Sequence, residues 1–496
     1  MIMKEHIARL TSDSAVYGIS AVLGRFLNFL LVPFYTNIFP ADEYGLVTVA
    51  YSFIAFLNVV YALGFETAFM RFLEARREAD RADVFSAPFW TIAAAAAAFS
   101  AAIALSENPL SDALLIPREW SAIVPLSAAI LALDALNVIP FAALRMDRRA
   151  GRFAAIRLAG ILVNIALNLI LVLGLRMSIV AVFISNLAAS AATTLLLAPV
   201  IVRDLRPRVK PDLLRAMLAF GLPTIPAGIS SMLIQVVDRP LIQRIAGDAA
   251  AGVYGANYRL GIIMMLVVTM FQYAWQPFAL QSASMPEARR LFARVMTYFV
   301  LAGSLVTAAG GMFIDDVAVI PLIHGKALLG SAYREGLSIV PIVLFSYLWT
   351  GIGAVLTAGL LIEKRTAYLA LVTAVGAAVN VAVNLLLIPP LGYTGGALAT
   401  LASYVCMTAL YWFISRRVYP VEWEYARIGK ILLALAATAA LWYSGLRPIP
   451  MPALLWEGAL FLGFVFLLFA MKLFLPSELR EMRAFLRLKN RATRGT

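Results

Sequence analysis

Three arginines interrupt stretches that are otherwise built from Ala, Leu, Ile and Val: Arg25, Arg157 and Arg259. A guanidinium stays charged at every accessible pH and can grip a carboxylate or phosphate through two parallel N–H bonds. Inside an apolar run such a charge is expensive, so it lines a wet cavity or is paired. Counted along its helix, Arg25 lies roughly 16 Å from the N-terminal end, too deep to reach the interface. It is read as an anion ligand in a cavity, as the ion-pair partner of Asp134 (about 14 Å from the same face), or as both. Arg259 lies roughly 8 Å inside the outer end of its run, where it serves either a cavity or the interface. Arg157 sits near a span end and is read as an interfacial anchor or a further cavity ligand.

Other polar groups are read more locally. Asp238 and Arg239 precede Pro240 and form either a polar pair closing a helix or part of a gate. Asn164/Asn168 and Asn380/Asn384 are spaced i, i+4, so each pair shares one helix face. Their amides bond neighbouring helices, where unsatisfied amides are costly, or contact a sugar. Tyr258, Tyr273, Trp275 and Tyr404 stack on sugar rings or serve as packing and interface aromatics. Glu66 and Glu363 fall at span ends and are expected to be solvated. No catalytic residue emerges: there is no phosphate-binding Gly-rich loop and no Gly-x-Ser-x-Gly. Two His and one Cys, Cys406, leave no metal set and no internal disulfide, and no cofactor is expected.

The elements that must position these side chains follow from composition. Of 496 residues, 62% are hydrophobic and 14% charged, with a mean hydropathy of +0.85. Soluble proteins average roughly 45–50% apolar and about 25% charged. A soluble globule of this length is therefore excluded. A bilayer core needs about 20 apolar residues per helix, and 14 runs meet that need: 14–36, 44–64, 86–105, 121–143, 153–174, 178–202, 214–237, 254–275, 295–312, 337–361, 367–388, 395–414, 431–445 and 454–471. The runs are continuous rather than alternating, which excludes barrel strands. The expected fold is an all-α integral membrane protein.

Positive charge alternates between the connecting loops: 31 Lys and Arg fall on one side and 7 on the other. Cytoplasmic loops retain such charge, so both termini are expected in the cytoplasm. The net charge of +13 then reflects topology and anionic lipid headgroups rather than a nucleic-acid partner. Residues 1–11 lack the pattern of a cleaved leader. Within 476–494, Leu479, Met482, Phe485 and Leu488 recur among basic residues, as in a helix lying on the inner membrane surface, with a solvated tail as the alternative.

The sequence also repeats itself. Shifted by 216, residues 149–175 match 365–391 at 10 of 27 positions, including both Asn pairs. Shifted by 207, Pro33, Ile38, Gly45 and Tyr51 fall on Pro240, Ile245, Gly252 and Tyr258. Spans one to six thus resemble spans seven to twelve, giving expected units of 1–209, 210–420 and 421–496. An even number of crossings makes the repeat parallel, and such halves enclose a central site and expose it alternately. The cations are not duplicated: Met232 stands opposite Arg25, and Ser52 opposite Arg259.

Three stretches resemble polysaccharide transporters of the oligosaccharide flippase (Wzx-like) family, within the multidrug/oligosaccharidyl-lipid/polysaccharide exporter superfamily. They are LVPFYTNIFPADEYGLVTVAYSF (31–53), VVDRPLIQRIAGDAAAGVYGANYRLG (236–261) and RTAYLALVTAVGAAVNVAVNLLLIPPLGYTGGALAT (365–400). The resemblance implies a six-plus-six-plus-two helix layout. It also implies flipping of a polyprenyl-pyrophosphate-linked oligosaccharide between the leaflets of the inner (plasma) membrane, alongside a polymerase and glycosyltransferases. With no ATP site, the energy would come from an ion gradient, the membrane potential or removal of product. Alternatives are a cation-coupled drug antiporter, whose cavity should hold more carboxylates, and a lipid II flippase, although 37–43 contains no Arg. An integral membrane glycosyl polymerase would need a richer external loop than 313–336, which offers little beyond His324.

Overall fold

In a bilayer, backbone N–H and C=O groups find no water, so a spanning segment must satisfy them within one helix. The computed structural model, which describes residues 18, 23–24, 26–27, 29–75, 80–322, 325–445 and 452–473, is built on that rule. Among these residues there is one isolated bridge, Pro321–Ala327, and no strand. Thirteen helices are long and apolar enough to span. Parts of the first expected span (14–17, 19–22, 25 and 28, which includes Arg25) lie outside the described residues, as do His324, segment 446–451 and the basic tail at 476–494.

The helices used below are α1 (Leu31–Thr36), α2 (Ala41–Tyr61), α3 (Phe65–Ala75), α4 (Arg81–Leu105), α5 (Ile123–Met146), α6 (Ala150–Asn168) and α7 (Val180–Asp204). The second half contributes α8 (Pro211–Gly221), α9 (Ile225–Val236), α10 (Asp238–Ala246), α11 (Asp248–Ser282), α12 (Ala288–Met312), α13 (Ile339–Ile362), α14 (Ala367–Leu391) and α15 (Tyr393–Val418). Two more, α16 (Tyr425–Tyr443) and α17 (Ala453–Ala470), pack together, and α16 lies along α12.

In the first half α5 packs between α4 and α7, and in the second half α15 packs between α13 and α14. The halves meet where α2 lies along α11, and this contact needs glycine. A Cβ on Gly45 would fall 2.0 Å from the Asp248 carbonyl oxygen, and one on Gly252 would fall 1.8 Å from that of Ala41. At the opposite end Gly64, at φ +68°, and Gly221 bring α3 and α8 equally close. Small residues let membrane helices approach in this way.

The Arg-rich end of the first half is held by ion pairs. Arg81 at the start of α4 binds Asp147 and Asp204, and Arg203 binds the same two carboxylates at 2.8 and 2.7 Å. Glu66 and Glu363 share one expectation, to stand solvated. Glu363 is exposed, and Glu66, also partly exposed, in addition pairs with Arg145 of α5. The apolar run of α2 ends just before this residue, which is why Glu66 reads as an interface group from sequence.

Candidate functional site

Two adjoining cavities collect most of the polar groups singled out in the sequence. The central one, about 530 Å³, lies between the halves and is bordered by α1, α2, α6, α7, α9, α10, α11 and α13. Arg239 and Arg259 both line it, together with Tyr35, Tyr51, Gln235 and Tyr258. Arg259 donates to the Tyr44 hydroxyl at 2.7 Å, and its guanidinium lies 5.6 Å from that ring. Arg239 stacks 4.8 Å from the Tyr258 ring, whose hydroxyl meets that of Tyr347 at 3.0 Å. Cation–ring contacts of this kind hold a guanidinium in place while leaving some N–H donors free to face a ligand.

One expectation is corrected here. The eighth span begins at Asp248, not Tyr254, so Arg259 stands about 16 Å along α11 and faces the cavity rather than the interface. The segment preceding Tyr254 is short and opens on Asp248, so it adds too few strongly apolar residues to read as part of the span. The seventh span ends at Val236, just before Asp238–Arg239, as expected. The chain continues as α10 to Ala246, about 10 Å further, because Pro240 falls in the first turn, where no N–H is needed. Asp238 is fully buried, accepts hydrogen bonds from the Tyr254 hydroxyl and the Arg239 backbone N–H, and lies 3.4 Å from the Arg239 guanidinium. The expected local pair is therefore present, with the carboxylate buried in the protein and the guanidinium also lining the cavity.

The second cavity, about 500 Å³, lies within the first half between α5, α6 and α7. Asp134 and Arg157 line it, and the Asp134 carboxylate accepts a hydrogen bond from Ser190 at 2.6 Å. Arg157 therefore faces a cavity, with its guanidinium 5.9 Å from the Phe153 ring. Glu66, Arg145 and Phe153 lie toward the Arg-rich end of this chamber. Asn164 and Asn186 line both cavities, which therefore adjoin.

The asparagine pairs divide. Asn168 donates to the Asn164 side-chain and backbone oxygens within its own helix and accepts from Tyr35 across to α1 at 2.7 Å. That interhelical bond is worth about 0.6–2 kcal/mol. Asn384 makes the same two bonds to Asn380, but Asn384 Oδ1 and Asn380 Nδ2 find no partner in the protein. The repeat explains the difference, since Ile242 falls where Tyr35 stands in the first half. Of the aromatics, Tyr258 lines the central cavity, Tyr404 is buried, and Trp275 packs against Phe271, Phe278 and Phe292. Tyr273 is exposed.

The fold is shared with solved membrane transporters. The chain is similar to lipid II flippase MurJ in an inward closed conformation, with 13% identity, TM-score 0.71, and 92% of this chain and 98% of that one covered. It is also similar to an inward-facing MATE family multidrug resistance transporter of the MOP superfamily, with 15% identity, TM-score 0.60, and 84% and 96% covered. An outward-facing MATE transporter gives 16% identity, TM-score 0.57, and 87% and 96% covered. No curated protein matches in sequence. Residues 38–304, more than half of the chain, match the family described as polysaccharide biosynthesis protein. The matched segment spans both cationic helices, α10 and α11, and the crossing that joins the halves; the chain is a multi-pass membrane protein of the polysaccharide biosynthesis protein family.

Proposed function

We propose that this protein moves a polyprenyl-pyrophosphate-linked oligosaccharide from the cytoplasmic to the outer leaflet for surface polysaccharide synthesis. The observation that carries the reading is the meeting of Arg239 and Arg259, from two helices, in one cavity between the halves. A pyrophosphate crossing hydrocarbon alone faces a penalty of tens of kcal/mol, and paired guanidinium groups in a wet cavity offset it. The polyprenyl tail stays in lipid while the head crosses between units 1–209 and 210–420, which rock to open the cavity on one side and then the other. Asp134 and Arg157 flank the approach, and Arg25, which precedes the central cavity in sequence, is a further anion ligand or the partner of Asp134. Asn164 and Asn168 order the wall of the first half, Asn380 and Asn384 that of the second, and Asp238 fixes Arg239 in its gating position. The membrane is the inner (plasma) membrane, with both termini cytoplasmic, beside a polymerase and glycosyltransferases.

Family membership and the two cavity arginines favour this reading over a cation-coupled drug antiporter, whose substrates are cationic. The similarity to a lipid II flippase supports a second reading with the same pyrophosphate chemistry and a different head. Purified protein in liposomes loaded with a fluorescent polyprenyl-pyrophosphate disaccharide tests both. Wild type should transfer it between leaflets, Arg259→Gln should lose transfer, and Arg259→Lys should keep part of it because the point charge survives. Transfer by wild type and Arg259→Gln at equal rates would overturn the reading.

A further inference from the structure

The chamber between α5, α6 and α7 is too large and too polar to be a packing defect. Its roughly 500 Å³ is many times the volume of one water, and it is lined by amides, hydroxyls and charges inside a membrane domain. Polar groups facing such a space must be satisfied by water or by a ligand. Charge separates the two cavities. Among the described residues, the central cavity is lined by Arg239 and Arg259 without a lining carboxylate, since Asp238 is buried behind Arg239. In the chamber, Glu66 and Asp134 balance Arg145 and Arg157. An anion is drawn to the first, and an uncharged polar group is suited to the second.

We infer that the chamber holds the uncharged sugars of the lipid-linked head while its pyrophosphate lies in the central cavity; this rests on the function proposed above. Sugar hydroxyls both donate and accept, as do the amides of Asn137, Asn164 and Asn186 and the hydroxyl of Thr193. Phe141 and Phe153, packed edge to face at 5.1 Å, supply the apolar surface that the C–H face of a sugar ring needs. Asn164 and Asn186 border both spaces, so a head group can lie across the junction without leaving a polar wall. The chamber then reads sugar identity, and the central cavity reads the phosphate.

The test uses the full-length protein in lipid nanodiscs and two probes: a polyprenyl pyrophosphate without sugar, and the same lipid carrying a neutral disaccharide. Wild type should bind the disaccharide form more tightly. Thr193→Val keeps the side-chain shape and removes one hydroxyl, and it should weaken the disaccharide form by about threefold to tenfold while bare-lipid affinity holds. Thr193→Leu, which projects bulk into the chamber, should erase the advantage of the sugar. Equal affinity of wild type for both lipids, or no selective loss in either variant, would overturn the inference. So would tighter binding of an acidic disaccharide than of a neutral one. If wild type bound neither lipid, or Arg259→Gln bound both normally, the reading of the central cavity would fall instead.

Discussion

Gly45 on α2 and Gly252 on α11 occupy the same position of the internal repeat and lie against each other: a Cβ on Gly252 would stand 2.9 Å from the Gly45 nitrogen. The pseudo-symmetric halves therefore touch through their own equivalent residues at the Arg-poor end. Around that crossing, the segment after α1 is bonded to the long loop before α13. Asn37 donates to the Ala327 carbonyl at 2.8 Å, Lys326 donates to the Asn37 carbonyl at 3.0 Å, and the Tyr333 hydroxyl donates to the Phe39 carbonyl at 2.8 Å. This end is closed by backbone fit and by hydrogen bonds that can be exchanged for water.

Gly252→Ala should keep this end from closing, because the added methyl meets a carbonyl oxygen at 1.8 Å and backbone cannot yield as a side chain can. Overpacking of this sort costs roughly 1–3 kcal/mol. Spin labels at 37 and 327 in a Cys406→Ser background should report a longer and broader distance than in the parent. An unchanged distance would show that the crossing does not govern closure.

Tyr44→Phe should weaken pyrophosphate binding several-fold without loss of folding. The ring stays packed against Tyr35 and Tyr333, while the hydroxyl that accepts from Arg259 is gone. The guanidinium would lose a fixed direction but keep its charge. Binding of a soluble pyrophosphate-bearing lipid analogue to detergent-purified protein measures this, with thermal unfolding as the parallel reading. Wild-type affinity in Tyr44→Phe would remove Tyr44 as a positioning residue.

The segment joining the halves is strapped to α4. Asp83 binds Arg208 at 2.8 Å and Lys210 at 2.6 Å, Ser86 accepts from the Arg206 backbone N–H, and Trp90 donates to the Arg206 carbonyl. Relative motion of the halves must then be absorbed beyond Lys210, at the start of α8. Asp83→Asn should raise amide hydrogen exchange across 205–210 and leave exchange in α4 little changed. If protection there is the same with and without the charge, the strap is held by the Ser86 and Trp90 bonds alone.

Acid should loosen the Arg-rich end. Burial alone would raise the Asp147 carboxyl, but hydrogen bonds and charge from Arg81 and Arg203 outweigh it and hold it below the ordinary carboxylate range. A lowered folded-state pKa means the stabilisation is fully present above the ordinary value. It is lost as the pH falls through the lower one. Asp147→Asn should cost on the order of 2 kcal/mol at neutral pH, as for a charge-assisted bond. It should also flatten the acid limb of a melting-temperature profile in detergent. An acid limb identical to wild type would assign the loss to other carboxylates.

The proposed orientation predicts that an impermeant thiol reagent added to intact cells labels Ala332→Cys, before α13, and spares Gly151→Cys, at the start of α6. Both positions are exposed, and the only native thiol, Cys406, can be replaced by Ser. Labelling of Gly151→Cys alone would invert the topology.

Hydropathy determined the all-helical membrane fold, because a bilayer admits an apolar run of this length in one regular form. The repeat was legible as well, since Gly45/Gly252 and Asn164/Asn380 carry backbone and hydrogen-bonding demands that neutral drift does not reproduce in register. That arginines stand in the spans was plain from their neighbours. Where they point was not: lipid and protein interior are both apolar, so a membrane helix shows no pattern that fixes its rotation about its axis. For that reason neither Arg239, which does pair with Asp238, nor Arg157 showed in the sequence which cavity it lines. The tertiary structure alone decided that Arg239 and Arg259 share one cavity and that Asp134, Arg157 and Asn164 line a second. Those meetings depend on packing between helices far apart in the chain, where a glycine's missing Cβ or one tyrosine hydroxyl sets the approach.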